Sequence, residues 1–148
     1  MDENIIVNVK TLLCDADTDE VKRIISQTED QEILYIYIYN YNWDNGFDIP
    51  QTVLDNKICD LSIALLIFYR ADGLSYLEGK SDNANLPKWS SFIKRLYDSI
   101  LRGEYQRGEI EFKVPLSKVQ LYKLKKLTTE EENIFTENIV GKCLDIDL

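Results

Sequence analysis

Histidine is absent from the 148 residues of this chain. Its absence removes the side chain that most often serves as a general base, a metal ligand or a proton shuttle near neutral pH. The six glycines form no phosphate-binding loop, and no Gly-x-Ser-x-Gly nucleophile motif is present. A cysteine nucleophile would lack its usual histidine partner. We therefore expect a protein that is not an enzyme and that binds no cofactor and no metal.

Cysteine is also scarce. Cys14, Cys59 and Cys143 are odd in number, lie far apart and form neither a Cys-x-x-Cys pair nor a zinc-binding spacing. Reduced thiols of this kind are typical of cytoplasmic proteins. The first ten residues lack the basic start of a signal peptide, and no apolar run is long enough to cross a bilayer. A soluble, cytoplasmic protein is predicted.

Basic residues are too few to balance the acidic ones. Seventeen Lys and Arg face 26 Asp and Glu, which gives a net charge of -9 and a pI near 4.5. This charge disfavours nucleic acid and anionic membranes, because both carry negative charge themselves. It would attract a basic protein partner, although an acidic surface also simply keeps a protein soluble. We expect a protein partner, basic if charge directs the choice, and the sequence leaves the oligomeric state open.

The most abundant feature is apolar sequence, which is concentrated over residues 60–72. The segment is apolar on nearly all of its sides, which predicts a helix buried on most of them. Asp60 is expected to cap its start, and Gly73 to end it in a left-handed conformation. The run is about half of a membrane span, so it indicates a buried core helix.

A turn rich in aromatic and acidic residues, at positions 42–47, precedes this segment. It contains an Asn-Gly pair suited to positive φ, and its two aromatic side chains are expected to dock it onto the core. The next helix is predicted to begin with Asp48 as N-cap and with a proline in its first turn. The residues to which we assign structural roles are Trp43, Asp44, Gly46, Phe47, Asp48, Pro50 and Asp60.

The turn and the apolar helix together resemble a bacterial protein family of unknown function. Its members carry an Asn-Trp-Asp-(Asp/Asn)-Gly-(Phe/Leu)-(Glu/Asp)-x-Pro turn and then a Cys-Asp-x-x-x-Ala-Leu-x-x-(Phe/Tyr) helix. The resemblance covers about a quarter of the chain, residues 40–73. It implies an all-helical domain and supplies no catalytic residues. The matching positions are Asn42, Trp43, Asp44, Asn45, Gly46, Phe47, Asp48, Pro50, Cys59, Asp60, Ala64, Leu65 and Phe68.

Two segments carry a strand-like alternation. Ile and Tyr alternate over residues 33–39, which is typical of a strand. We nevertheless predict a helix there, because the resemblance implies one and because a lone strand would leave backbone groups unpaired. Residues 109–114 alternate charged and apolar side chains, which indicates an extended arm or an edge strand. Pairing of the two segments would give an α+β fold with a small sheet.

Helical spacing accounts for the beginning and middle of the chain. Apolar residues over 5–13 predict an N-terminal helix, with a short strand over 5–9 as the alternative. Asp17 and Glu20 are spaced as a capping box for a second helix. The spacing over 89–101 predicts an amphipathic helix, preceded by a polar loop, 75–87, whose order the sequence does not reveal.

Two C-terminal helices are predicted over residues 117–140. Ser117 and Thr129 each begin a capping-box spacing, with Gln120 and Glu132 three residues later. The first of these helices carries Val119, Tyr122, Leu127 and the only basic cluster of the chain, Lys118, Lys123, Lys125 and Lys126. The predicted fold is therefore a single all-α domain over 1–148, built of stacked helical hairpins around residues 40–73, with the α+β fold as the alternative.

Three functions of different classes fit these observations. Small acidic bacterial proteins often serve as immunity partners of secreted toxins, so the leading hypothesis is a non-enzymatic binding module that inhibits a basic toxin. The second hypothesis is a structural or adaptor domain that self-associates. The third is a carboxylate-dependent hydrolase using Asp44 and Asp48, although both residues have an immediate use in bracing the turn.

Tyrosine is the side chain to examine for partner binding. It is enriched in interfaces because it combines a large rigid surface with a polar tip. The sequence does not say which tyrosines are exposed. The predicted partner-binding residues are the exposed members of the set Tyr35, Tyr39, Tyr41, Tyr76 and Tyr105.

Overall fold

Most of the chain is helical in the computed structural model, which describes residues 3–14, 16–79 and 86–148. Over these ranges the chain forms no β-strand and has two isolated bridges, so the all-α fold class is confirmed. Within the same ranges no helix is long and apolar enough to cross a membrane. The helices are α1 (Glu3–Cys14), α2 (Thr18–Gln27), α3 (Gln31–Tyr39), α4 (Asp48–Asp55), α5 (Leu61–Arg70), α6 (Gly73–Leu77), α7 (Pro87–Leu101) and α8 (Lys118–Leu127), with 3-10 turns at Trp43–Asn45 and Glu130–Phe135.

Helix α5 lies at the centre of the core, where it packs against α3, α4, α6 and α7. Every residue from Leu61 to Phe68 is buried, as the apolar run predicts. The Asp60 carboxylate accepts a hydrogen bond from the Ile63 amide at 2.9 Å, which confirms the predicted N-cap.

The predicted end of α5 at Gly73 is wrong, because the helix ends at Arg70. The left-handed residue is Asp72, with φ 62°, and Gly73 is already the first residue of α6. A Cβ atom on Gly73 would lie 2.2 Å from the Phe68 ring. Glycine is therefore required there by the close approach of a ring, and the left-handed turn is made by an aspartate, which tolerates that conformation better than most residues. The predicted loop 75–87 begins inside α6, and residues 80–85 lie outside the described ranges.

The segment Gln31–Tyr39 forms the helix α3, although its alternating Ile and Tyr residues are typical of a strand. It packs between α1 and α5, and all five residues from Leu34 to Ile38 are buried. Because apolar neighbours surround the helix, both members of the alternating Ile and Tyr pattern are covered. The predicted helix over 33–39 is confirmed.

The other helices predicted for the first two-thirds of the chain are observed, with small differences in the residues at which they begin. Helix α1 buries Ile5, Val9 and Leu12, so the strand alternative is wrong, and Asp17 caps α2 through the Glu20 amide. Helix α4 begins at Asp48 itself, because the Phe47 carbonyl already accepts from the Gln51 amide at 2.9 Å. Asp48 is therefore not the N-cap.

The C-terminal third departs further from prediction. Ile110 and Phe112 form bridges with Lys142 and Ile139. The extended arm therefore pairs with residues 139–142, and the alternative in which it pairs with residues 33–39 is wrong. Helix α8 forms with the predicted Ser117–Gln120 capping box. The second predicted helix is only the 3-10 turn Glu130–Phe135, because the residues after it are held in the bridges.

Gly141 allows this pairing. A Cβ atom at that position would lie 2.4 Å from the Glu109 carbonyl oxygen, closer than any side chain permits. The Lys142 amide donates to the same carbonyl at 2.8 Å, and the Glu111 amide donates to the Lys142 carbonyl at 2.9 Å. The glycine that the spacing marks as the end of a helix is thus a point of close backbone contact between two extended segments.

Candidate protein-binding surfaces

The turn over residues 42–47 is docked onto the core by its aromatic side chains. Trp43 contacts the Tyr41 ring edge-on, with centroids 5.2 Å apart, and Phe47 stacks on Phe92 of α7 at 4.7 Å. Gly46 has φ 90°, and its carbonyl accepts from the Tyr41 hydroxyl at 2.7 Å. The Trp43 indole N–H is buried and has no acceptor among the described residues. This geometry gives the aromatic residues of the turn a packing role.

The two carboxylates that a hydrolase would use lie at the surface of this turn. Asp44 and Asp48 are exposed. The Asp44 amide donates to the Asn42 side chain at 3.0 Å, and the Asp48 carbonyl accepts from the Thr52 hydroxyl. These contacts engage the backbone in the turn and in the first turn of α4.

Two of the five predicted partner-binding tyrosines are buried. Tyr35 is 2% exposed and donates to the Asp145 carboxylate at 2.6 Å, while Tyr41 is 7% exposed and holds the Gly46 carbonyl. Burial raises the pKa of both hydroxyls. Tyr35 and Tyr41 are therefore not among the exposed members of the predicted set, because their side chains complete the core around α3.

The other three tyrosines are half-buried on separate elements. Tyr39 of α3 lies under the Arg70 guanidinium at 4.6 Å, and Tyr76 of α6 packs against Tyr97 at 4.9 Å. Tyr105 follows α7 and lines a polar cavity. None of these three rings contacts another of the three within the described chain. They do not form one aromatic surface.

The polar cavity at Tyr105 has a volume of about 370 Å³ and lies between the end of α4 and α7. Cys59 lines it, but this thiol is buried, and burial raises its pKa far above the range in which a thiolate forms. Arg102 at the rim is paired with Glu104 at 3.0 Å. The cavity therefore holds no activated nucleophile, and its charges are mixed.

A second concavity carries mainly negative charge. It has a volume of about 450 Å³ and lies where α3 begins, beside the extended arm. We name it the acidic groove, and it is lined by Glu29, Asp30, Gln31, Glu32, Ile58, Glu109, Ile110 and Lys142.

The carboxylates of the acidic groove differ in their availability. Asp30 caps α3 through the Glu32 amide, and Glu32 pairs with Lys142 at 3.0 Å. Glu29 and Glu109 are exposed, and neither side chain has an ion pair or a hydrogen bond within the described residues. Two free carboxylates thus stand beside the apolar lining that Ile58 and Ile110 provide.

A third surface is the outer face of α8. Val119, Tyr122 and Leu127 are each 63% exposed, and Leu124 is the one residue of α8 that reaches the core. Lys126 lies over the Tyr122 ring, with its Nζ 4.4 Å from the centroid. The tyrosine set predicted from the sequence omits Tyr122. The signal available in the sequence is the high density of lysines between the apolar residues of this segment, which is unusual for a helix that covers a core.

Comparison with known proteins identifies part of the chain. No curated protein and no solved structure matches it. Residues 29–101 match the family model described as Domain of unknown function (DUF4274). This range begins at the acidic groove, contains the docked turn and the central helix, and ends with α7. A DUF4274 domain of unknown function therefore occupies residues 29–101, and α1, α2, the extended arm and α8 lie outside it.

Proposed function

We propose that this protein is a non-enzymatic protein-binding module, an immunity-type inhibitor that binds a basic bacterial toxin in its acidic groove. The observation that carries the proposal is the pair of free carboxylates, Glu29 and Glu109, beside the apolar lining of Ile58 and Ile110. Such a concavity fits a lysine or arginine side chain, whose aliphatic stem packs on apolar groups while its charged end meets a carboxylate.

The charge of the whole chain supports this proposal. With a net charge of -9, the protein would attract a basic partner from a distance and would accelerate their association. Lys142, the one cation among the groove residues, is already paired with Glu32. An incoming cation would therefore meet uncompensated carboxylates.

A binding role is also favoured over catalysis by the state of the reactive groups. The Cys59 thiol is held protonated by burial, and Asp44 and Asp48 lie exposed on a turn. A cysteine nucleophile acts as the thiolate, so the protonated Cys59 thiol is poorly suited to catalysis.

The test is capture of the protein encoded by the adjacent gene, at low and at high salt. We expect capture by the wild type that weakens with salt, because exposed charges are screened. The groove variant, Glu29→Lys with Glu109→Lys, should lose at least about tenfold in affinity, since like charges would face each other.

The matched control is Glu130→Lys with Glu131→Lys. It makes the same change in net charge at two exposed carboxylates outside the acidic groove. It should keep the affinity of the wild type apart from the general effect of net charge. Equal losses in the two variants would show that only net charge acts, and would overturn the assignment of the groove.

A further inference from the structure

Helix α8 exposes more large apolar side chains than any other helix over the described ranges. Such side chains with high exposure are Val7, Leu86, Val119, Tyr122, Leu127, Val140 and Leu148, and three of them lie on this ten-residue helix. Single exposed apolar side chains are common on protein surfaces. Several of them together on one face often mark a site that contacts another molecule.

The exposed residues lie along one side of α8. Val119, Tyr122, Lys123, Lys126 and Leu127 follow the spacing i, i+3, i+4, i+7 and i+8, which places them in one stripe. The buried Leu124 lies outside this stripe and borders it at Leu127, three residues further along the helix. We name this stripe the α8 face; with a rise of about 1.5 Å per residue it runs over roughly 12 Å.

The charge of α8 opposes that of the rest of the molecule. The helix has four lysines and no carboxylate, and none of the four forms an ion pair within the described residues. Apart from these lysines, the chain holds 13 cationic side chains (17 less 4) against 26 carboxylates. A surface complementary to the α8 face must be both acidic and partly apolar, and the acidic groove of this same chain has both properties.

We propose that the α8 face of one copy docks into the acidic groove of a second copy. Lys123 and Lys126 then lie beside the free carboxylates of Glu29 and Glu109, and the apolar residues of the stripe cover the lining of the groove. Each contact joins two different surfaces, the α8 face of one copy and the acidic groove of the other.

This contact also has a regulatory consequence, which rests on the proposed function. The groove that binds the basic partner is then filled by a second copy when the protein is concentrated, so self-association and partner binding exclude each other. One short helix face makes a small interface, and each copy carries a net charge of -9, so the contact is weak and depends on protein concentration.

Two charge-reversal variants test the contact with the protein alone. The α8 variant, Lys123→Glu with Lys126→Glu, keeps the groove; the groove variant, Glu29→Lys with Glu109→Lys, keeps α8. In sedimentation velocity we expect the mass of the wild type to rise with concentration and each variant alone to stay monomeric. An equimolar mixture should form a 1:1 complex, because the intact α8 face of the groove variant meets the intact groove of the α8 variant.

The control variant is Lys10→Glu with Lys88→Glu. It makes the same charge change at two exposed lysines outside both the α8 face and the acidic groove, so it should still self-associate. Circular dichroism of all variants checks that the helices are retained. Tyr122→Ser, which changes no charge, should raise the dissociation constant at least about tenfold, because a central aromatic residue carries much of the energy of an interface.

Three results would overturn the inference: a wild type that is monomeric at every concentration, an α8 variant that still self-associates, or a mixture that stays monomeric. None of them bears on the proposed function, since capture of the basic partner is measured with another protein and requires the groove only. Loss of capture in the groove variant with retention in the α8 variant would support the proposed function even if self-association fails.

Discussion

At the scale of single residues, Gly73 and Gly103 are positions where the fold favours glycine for two different reasons. A Cβ atom on Gly73 would lie 2.2 Å from the Phe68 ring, whereas Gly103 has φ 74° and open space around it. We expect Gly73→Ala to lower the free energy of unfolding by about 3 kcal/mol, because the buried ring must move. Gly103→Ala should cost about 1 kcal/mol, the strain of a left-handed residue. Urea denaturation measures both, and equal losses would contradict the clash at Phe68.

Asp60 makes the stability of the fold depend on pH. Its side chain is buried, one carboxylate oxygen accepts from the Ile63 amide, and the other has no partner among the described residues. Burial raises the pKa of this carboxyl above its value in the unfolded chain. The native state therefore binds the proton more tightly, so the contribution of Asp60 to stability is fully present below the unfolded pKa and is lost as the pH rises through the native pKa.

Asp60→Asn tests this dependence. The amide oxygen can still accept from the Ile63 amide, but the variant never holds a buried charge. We expect its free energy of unfolding, relative to that of the wild type, to increase between about pH 4 and about pH 7. Denaturation at both pH values measures the difference, and a difference that does not change with pH would contradict a raised pKa.

Local spacing predicts residue roles only where the partner is close in sequence. The cap at Asp60 and the positive φ at Gly46 follow from neighbouring residues, and both are observed. The exposure of a tyrosine depends on distant segments: Tyr35 is covered because its hydroxyl meets Asp145, 110 residues away. No local pattern contains that contact.

At the scale of elements, α8 is joined to the core by one side chain. Leu124 is 2% exposed, whereas Leu127 on the same helix is 63% exposed. Leu124→Ala should lower the free energy of unfolding by about 2–4 kcal/mol, because it leaves a cavity in the core. Leu127→Ala should change it by less than about 0.5 kcal/mol, because that side chain is mostly in water. Similar losses would show that the α8 face is covered in the folded monomer.

Element type was predictable from local residues where a long apolar run or a capping box is present, as in α5 and α8. For α3 the local pattern indicated a strand, and the helix was predicted from the family resemblance. Element type was not predictable after residue 129, where the same capping-box spacing begins only a 3-10 turn. There the Phe112 amide donates to the Ile139 carbonyl at 3.0 Å, a contact between distant segments that competes with helix formation. The acidic groove was missed for the same reason, since Glu29 and Glu109 are brought together only by the fold.

At the scale of the whole molecule, the acidic groove joins the DUF4274 domain to the rest of the chain. Glu29 and Ile58 lie within residues 29–101, whereas Glu109 and Ile110 belong to the extended arm beyond them. The α8 face lies wholly outside that domain. If the groove binds partners as proposed, the arm supplies half of its free carboxylates, and α8 supplies the competing cations.

The most direct measurement is a calorimetric titration of the protein encoded by the adjacent gene into wild type, groove variant and Glu130/Glu131 control, at low and high salt. We expect the wild type and the control to bind with affinities that fall with salt, and the groove variant to bind at least about tenfold more weakly at low salt. Binding of equal affinity by the groove variant and the control, or no binding by the wild type at either salt concentration, would contradict the proposed role of the acidic groove.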